Sequence, residues 1–236
     1  VGDGYEKGNG FTVLGAHSDS PCLRLKAVPC VEKCDYLMLN TQGYGGGLWH
    51  TWFDRDLGLA GRVLVKEGDA IVARLVRINE NVARIPNLAI HLTRGEERTG
   101  GFKPNLHEHA RAILTTSKNM RAWEGYDAEA AKAKGHHHLH PVVTSLVADN
   151  IGVSPNDIVD MELQLIDLQT PAYGGAKNEF ICSGRLDNLC SSYQSLAALI
   201  AATDVNTRTS YKSAEKATNV HVAVLFDHEE VGSNSS

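Results

Sequence analysis

The chain has 236 residues, of which 42% are hydrophobic and 22% charged, and its formal net charge is -5. That is enough chain to bury a sizeable core, in one large domain or two small ones. The mild acidity excludes an overall basic field that would gather nucleic acid or anionic lipid, and no apolar run reaches the ~18 residues of a membrane-crossing helix.

The five cysteines, Cys22, Cys30, Cys34, Cys182 and Cys190, are odd in number and include no CxxC pair. They read as free thiols in a reducing compartment rather than as a disulfide framework. The expected location is the cytoplasm, with the vacuole or lysosome as the lesser alternative. No signal-peptide pattern opens the chain. The start at Val1 and the stop at Ser235-Ser236, just past a strand-like run, read as a polypeptide cut at both ends.

In chain order, residues 11–16 form a short buried-strand pattern that stops at His17. Residues 35–65 carry strand-like runs punctuated by Gly43, Gly45-Gly46-Gly47, Gly58 and Gly61. Val63–Val65 and Ile71–Ile78 are rich in β-branched residues, as in a hairpin or meander. A short alternating run, Leu88, Ile90 and Leu92, follows Pro86, and residues 106–114 predict a short helix. Residues 124–141 read as an exposed linker in which His136 to His140 form a solvated tract. Val142–Ile151 has helical periodicity with Gly152 as its stop, and Ser154-Pro155-Asn156-Asp157 predicts a turn or cap. Met161–Leu168 and Phe180–Cys182 predict strands. Asp187-Asn188 opens a helix whose apolar positions include Leu189, Tyr193, Leu196, Leu199 and Ile200. Residues 203–217 read as a loop, and Val220–Phe226 as a fully buried strand that ends at Asp227-His228-Glu229-Glu230. The order strand, helix, loop, strand is an α/β arrangement.

Three segments put ligand-type residues at a strand end or a helix start: Gly15 to Pro21, Arg185 to Asn188, and Asp227 to Gly232. In open α/β sheets ligands bind beyond the carboxyl ends of strands. His17 offers an imidazole, a common zinc ligand. Asp19, two residues on, is placed to hold the other ring nitrogen and fix the tautomer; a plain surface turn has the same spacing. Asp187 suits a helix N-cap as well as a carboxylate bridging two metals. Glu229 and Glu230 would point apart on a strand, but in the turn that follows one can ligate a metal while the other faces a substrate water. A solvated acidic turn is the alternative. Three acids in four residues at the end of a buried strand are costly unless a cation neutralises them. His91 taken alone reads as a core or interface histidine. Gly45-Gly46-Gly47 lacks the GK[ST] of a phosphate loop and reads as a turn or a close backbone approach.

Five segments together resemble one family. Gly-Ala-His-Ser-Asp-Ser-Pro-Cys-Leu-Arg at 15–24 resembles the first metal motif of the aspartyl aminopeptidases, the M18 metallopeptidases. Residues 44–57 (YGGGLWHTWFDRDL) with Ala60-Gly61-Arg62-Val63, and residues 84–92 (RIPNLAIHL), are similar to the motifs of that family's inserted domain. Arg185-Leu-Asp-Asn-Leu189 resembles its bridging-aspartate motif and Asp227-His-Glu-Glu-Val-Gly-Ser233 its paired-glutamate motif, with His228 where asparagine is common. The motifs stand in family order.

The resemblance implies an α/β zinc-peptidase catalytic domain, residues 1–26 and 172–236, interrupted by a β-rich dimerisation domain, residues 27–171. It implies two zinc ions, replaceable by manganese or cobalt, with His17 on one, Glu230 on the other and Asp187 bridging. Asp19 would orient His17, Glu229 would be the general base and contact substrate, and His91 would reach the active site of a neighbouring subunit. The remaining ligands, an aspartate and a histidine, and the basic residue that reads an acidic side chain are expected beyond Ser236. The implied function is removal of N-terminal Asp or Glu from peptides by a metal-bridging water. The implied partners are such peptides and eleven further copies in a tetrahedral dodecamer, with no nucleic acid or membrane. The alternatives are a family member preferring neutral N-terminal residues, a catalytically silent assembly or cargo protein, and a different di-zinc hydrolase, against which the inserted-domain motifs speak.

Overall fold

A computed structural model of the chain describes residues 1–2, 4–95, 100–123, 138–203 and 217–232. It divides into two compact units, Val1–Pro21 with Thr170–Ser236, and Cys22–Gln169.

In the first unit, β1 (Phe11–His17) pairs in parallel with β10 (Val220–Phe226), from Phe11↔Val220 to His17↔Phe226. Helix α4 (Leu186–Thr203) packs against β1 and β10, and the short strands β8 (Ala172–Gly174) and β9 (Phe180–Cys182) pair antiparallel. The apolar positions of α4 that define its periodicity, Leu189, Tyr193, Leu196 and Ile200, are exposed. The one fully buried position is Ser192, whose Oγ donates to the His17 carbonyl at 2.8 Å. A small polar residue at this position lets the helix backbone approach the strand closely. The expected burial of Val220–Phe226 is corrected likewise: the strand is half-buried along its middle, and Leu225 and Phe226 are exposed.

The second unit is a six-stranded antiparallel sheet in the order β5-β4-β7-β2-β3-β6. Its strands are β2 (Cys22–Lys33), β3 (Tyr36–Tyr44), β4 (Leu57–Glu67), β5 (Ala70–Ala83), β6 (Ala112–Thr116) and β7 (Ile158–Asp167). Leu57, Leu59, Val63 and Val65 on β4 and Leu163 and Leu165 on β7 meet Val143, Val147 and Ala148 of helix α3 (Pro141–Ile151) in one core. Pro141 opens that helix and Gly152, at φ 69°, closes it, as the periodicity predicts. The 63–78 hairpin turns through Gly68-Asp69, with Gly68 at φ 62°. Among the described residues no helix is long and apolar enough to cross a membrane.

Three local expectations are corrected. Leu88, Ile90 and Leu92 form no strand; they lie exposed in a loop and turn, because no neighbouring strand pairs with them. The helix expected over 106–114 is limited to α1 (Leu106–His109), and Ala112–Thr116 adds to the sheet beside β3; a second short helix, α2 (Ser117–Arg121), follows. His136 and His137 lie outside the described residues, as do 204–216 of the expected loop and most of the expected linker. His138 and His140 are not solvated: both are half-buried, and burial pushes the His140 imidazole down against the opposing charge of Glu32.

Gly58 sits in β4 where its pairing with β5 shifts register, and a Cβ there would overlap the Ile78 carbonyl oxygen and the Leu168 side chain. Gly58→Ala is expected to destabilise the fold by about 1–3 kcal/mol. Denaturant unfolding checks this; an unchanged midpoint would contradict the packing described.

Candidate metal centre

The parallel register of β1 and β10 ends at His17↔Phe226, so both chains leave the sheet at the same edge. Ser18 N–H donates to the Phe226 carbonyl at 2.9 Å and extends the pairing by one step. Beyond Phe226 the chain bends at His228, in the left-handed region at φ 60°, into a 3-10 turn over Glu229–Val231. Histidine is among the non-glycine residues that tolerate that backbone. Asp187 comes from the opening of α4, where it and Asn188 have non-helical dihedrals; the peptide between them is cis.

Around His17 the geometry is close. Nδ1 lies 3.0 Å from the Asp19 backbone carbonyl and 3.4 Å from the Asp19 carboxylate. A carbonyl oxygen only accepts, so Nδ1 carries the hydrogen and Nε2 faces the cluster. Nε2 is 3.2 Å from Asp187 Oδ1 and 3.8 Å from Glu229 Oε2. Ligand atoms of His17, Glu229 and Glu230 all fall within 4.8 Å of one another. Both glutamates of the pair therefore converge, which a strand would forbid and the 3-10 turn permits. Asp187 meets the group through His17 Nε2, with a side chain 90% exposed.

Asp19 does more than the sequence suggests. Its carboxylate accepts the Glu229 N–H at 3.3 Å and the Glu230 N–H at 3.1 Å. One buried acid thus holds both the imidazole and the turn that carries the paired glutamates. Ser192, hydrogen-bonded to the His17 carbonyl, is the other supporting residue that sequence reasoning missed; the only signal was a small polar residue interrupting an apolar helix.

The electrostatics are those of crowded like charge. Burial works to lower the His17 pKa, but the Asp19 carbonyl and the Glu229, Asp187 and Asp19 carboxylates outweigh it, and the imidazole holds its proton more tightly than usual. Glu230 is pushed up, first by burial and then by Glu229, Asp19 and Asp187, against the pull of His17. Four carboxylates around one imidazole leave a surplus of negative charge that a divalent cation would neutralise. Imidazole nitrogen and carboxylate oxygen are zinc donors, so the residues present fit that metal.

His91 lies in the other unit, exposed in the turn at 90–92. A cavity of about 510 Å³ in the first unit, bounded by Leu14, Leu199 and Val222, is lined by none of the candidate site residues.

The whole chain, residues 1–236, matches the family described as Aminopeptidase I zinc metalloprotease (M18). The protein belongs to that metallopeptidase family. It is similar to a probable aspartyl aminopeptidase of Ricinus communis, 45% identical over 100% of this chain and 51% of the relative. It is also similar to the aspartyl aminopeptidase of Caenorhabditis elegans, at 38% over 100% and 49%. Among solved structures it resembles the one described as the cryo-EM structure of the Ape4 and Nbr1 complex. The TM-score there is 0.85 at 38% identity, over 100% of this chain and 43% of the other. It also resembles the one described as the Saccharomyces cerevisiae mApe1 dodecamer, with TM-score 0.75 at 28% identity over 100% and 47%. The α/β fold expected from the motifs stands. The chain spans about half the length of the curated relatives it matches.

Asp19→Asn would turn an amide N–H₂ toward backbone N–H groups and loosen both the imidazole and the turn. Zinc affinity, measured by chelator competition, should fall about 10- to 100-fold. Wild-type affinity would contradict the support role. Since the His17 proton is held above the ordinary imidazole range and zinc must displace it, zinc affinity should rise as pH is raised through and above that range. A pH-independent affinity would exclude His17 as a ligand.

Proposed function

We propose that the protein is a di-zinc aminopeptidase that removes N-terminal Asp or Glu from peptides, and that it works as a homo-oligomer. The observation that carries this reading is the convergence of His17, Asp187, Glu229 and Glu230 on one sheet edge, held by Asp19. In this reading His17 and Glu230 would each hold one zinc and Asp187 would serve both. Bound zinc supplies Lewis acidity and lowers the pKa of water.

The rest is done by the chain. Asp19 keeps the proton on His17 Nδ1, so that Nε2 presents its lone pair to the metal. Glu229, the more exposed of the two glutamates, takes a proton from the attacking water and later delivers it to the leaving amine. The surplus of carboxylates favours a substrate that brings a cation, and a free α-amino group does so only at a chain end. The preference for acidic residues rests on the relatives named aspartyl aminopeptidase, at 45% and 38% identity, against 28% for the Ape1 structure. Homo-oligomerisation rests on the dodecamer of that relative, and the unit Cys22–Gln169 is the part we assign to dimerisation. His91 of that unit is assigned to the active site of a neighbouring copy. Five free cysteines fit the cytoplasm.

In the natural full-length protein, Glu229→Gln should keep its zinc and lose about 10²- to 10⁴-fold in kcat. Turnover at the wild-type rate would remove the base assignment, and loss of zinc would make Glu229 a ligand. Chelation should abolish hydrolysis of aspartyl p-nitroanilide and zinc or cobalt should restore it; activity indifferent to chelator would remove the metal reading.

A further inference from the structure

The inserted-domain motifs around residues 44–57 and 84–92 are left without a physical role by the metal centre. In the structure they are bonded to each other. Asp54, in the left-handed region at φ 59°, donates its N–H to the Ile85 carbonyl at 2.9 Å. Its carboxylate accepts twice from one residue: the Asn87 N–H at 2.9 Å on Oδ1 and the Asn87 Nδ2 at 3.0 Å on Oδ2. A two-point contact of this kind fixes the orientation of Asn87 as well as its position.

The neighbours make the base of this clamp rigid. Phe53, just before Asp54, is buried edge-on against Phe102, with ring centroids 5.0 Å apart. Arg55, just after, donates to the Thr51 carbonyl, to Asp167 at 2.6 Å and to Gln169 at 3.0 Å. Asp56 accepts from Asn81 at 2.8 Å and from Arg84. Arg84 is also paired through its backbone with Ile113, and Ile85 is wholly buried. The chain is therefore tied at 84, 85 and 87.

Beyond Asn87 the character changes. Leu88, Ile90 and Leu92 are exposed, and the turn is closed on itself by the Leu92 and Thr93 N–H groups on the Ala89 carbonyl. Beside it lies a cavity of about 410 Å³ lined by His50, Asn87, Leu88, Thr93 and Phe102. His91 rides on this turn, four residues past the Asn87 tether.

We propose that Asp54 is a positioning residue: through its two-point hold on Asn87 it sets the direction in which the 88–92 turn leaves the sheet, and so where His91 stands when a second copy presents its carboxylate site. The inference rests on the reading above that His91 contributes to hydrolysis. A histidine on a free loop would reach the same place only part of the time, and a fixed one avoids that loss. The exposed leucines and isoleucine beside His91 give the turn an apolar rim suited to bury against another copy.

The test is a set of variants of the natural full-length protein, assayed on aspartyl p-nitroanilide. Asn87→Asp is the disrupting variant, because it sets a carboxylate against the Asp54 carboxylate and no rotation of either side chain supplies a donor. We expect kcat to fall about 10- to 100-fold, with zinc content, thermal midpoint and assembly size unchanged. His91→Phe should lower kcat by a similar factor. The two together should cost no more than either alone, because they act as one unit. The exchanged pair, Asp54→Asn with Asn87→Asp, restores donor against acceptor at both contacts and should recover most of the rate. If Asn87→Asp fails to fold, Asn87→Ala reads the same quantity, since it keeps the backbone bond and deletes the side-chain one.

Full activity in Asn87→Asp beside a loss in His91→Phe overturns the inference and leaves the reading of His91 intact. So does a loss that adds fully to that of His91→Phe or is not recovered by the exchanged pair, because such a loss is merely structural. Full activity in His91→Phe overturns the reading of His91 and the inference with it.

Discussion

The repulsion among four carboxylates gathered on one imidazole is the constraint on which the rest of the first unit depends. Asp19, Asp187, Glu229 and Glu230 come from segments up to 211 positions apart in the chain, and left to themselves they would separate. The parallel β1–β10 pair forces two of the segments to the same edge, and Ser192 draws the helix that carries Asp187 against the end of β1. What the fold gathers, a divalent cation would hold, since it exchanges mutual repulsion for shared coordination. Burial together with this crowding raises Glu230, and the surrounding carboxylates raise His17 against the effect of its burial.

Asp19 joins the local and the long-range parts of this arrangement. A carboxylate that only oriented His17 could be replaced by a backbone carbonyl, and the Asp19 carbonyl does sit closest to Nδ1, at 3.0 Å. The carboxylate itself is directed to the N–H groups of Glu229 and Glu230. It therefore couples the aim of the imidazole to the pose of the acidic turn, so that neither can shift without the other. The second unit repeats the device with Asp54, which ties one surface turn to the sheet through paired contacts to Asn87.

Much of this was legible in the sequence where local chemistry sets the outcome. Pro141 and Gly152 bracket a helix because one lacks an N–H and the other accepts the left-handed backbone. The β-branched runs on either side of Gly68-Asp69 pair as a hairpin for equally local reasons. His17, Asp187 and the paired glutamates could be singled out because each sits where a strand ends or a helix opens. Long-range pairing was less legible. The alternation of Leu88, Ile90 and Leu92 imitates a strand, yet a strand needs a neighbour and none is within reach among the described residues. The helix expected over 106–114 gives way at its end to the edge strand Ala112–Thr116, because β3 offers a partner. The double role of Asp19 and the contact of Ser192 depend on what arrives from nearly two hundred residues away, and no pattern of spacing records that.

An anomalous scattering map collected at the zinc edge from the zinc-loaded natural protein tests the central claim most directly. The account predicts two peaks at the ends of β1 and β10, one about 2.0–2.1 Å from His17 Nε2 and the other within bonding distance of a Glu230 oxygen, with Asp187 touching both. Zinc located instead on the His136–His140 tract, or a single ion bound without Asp187, would contradict it.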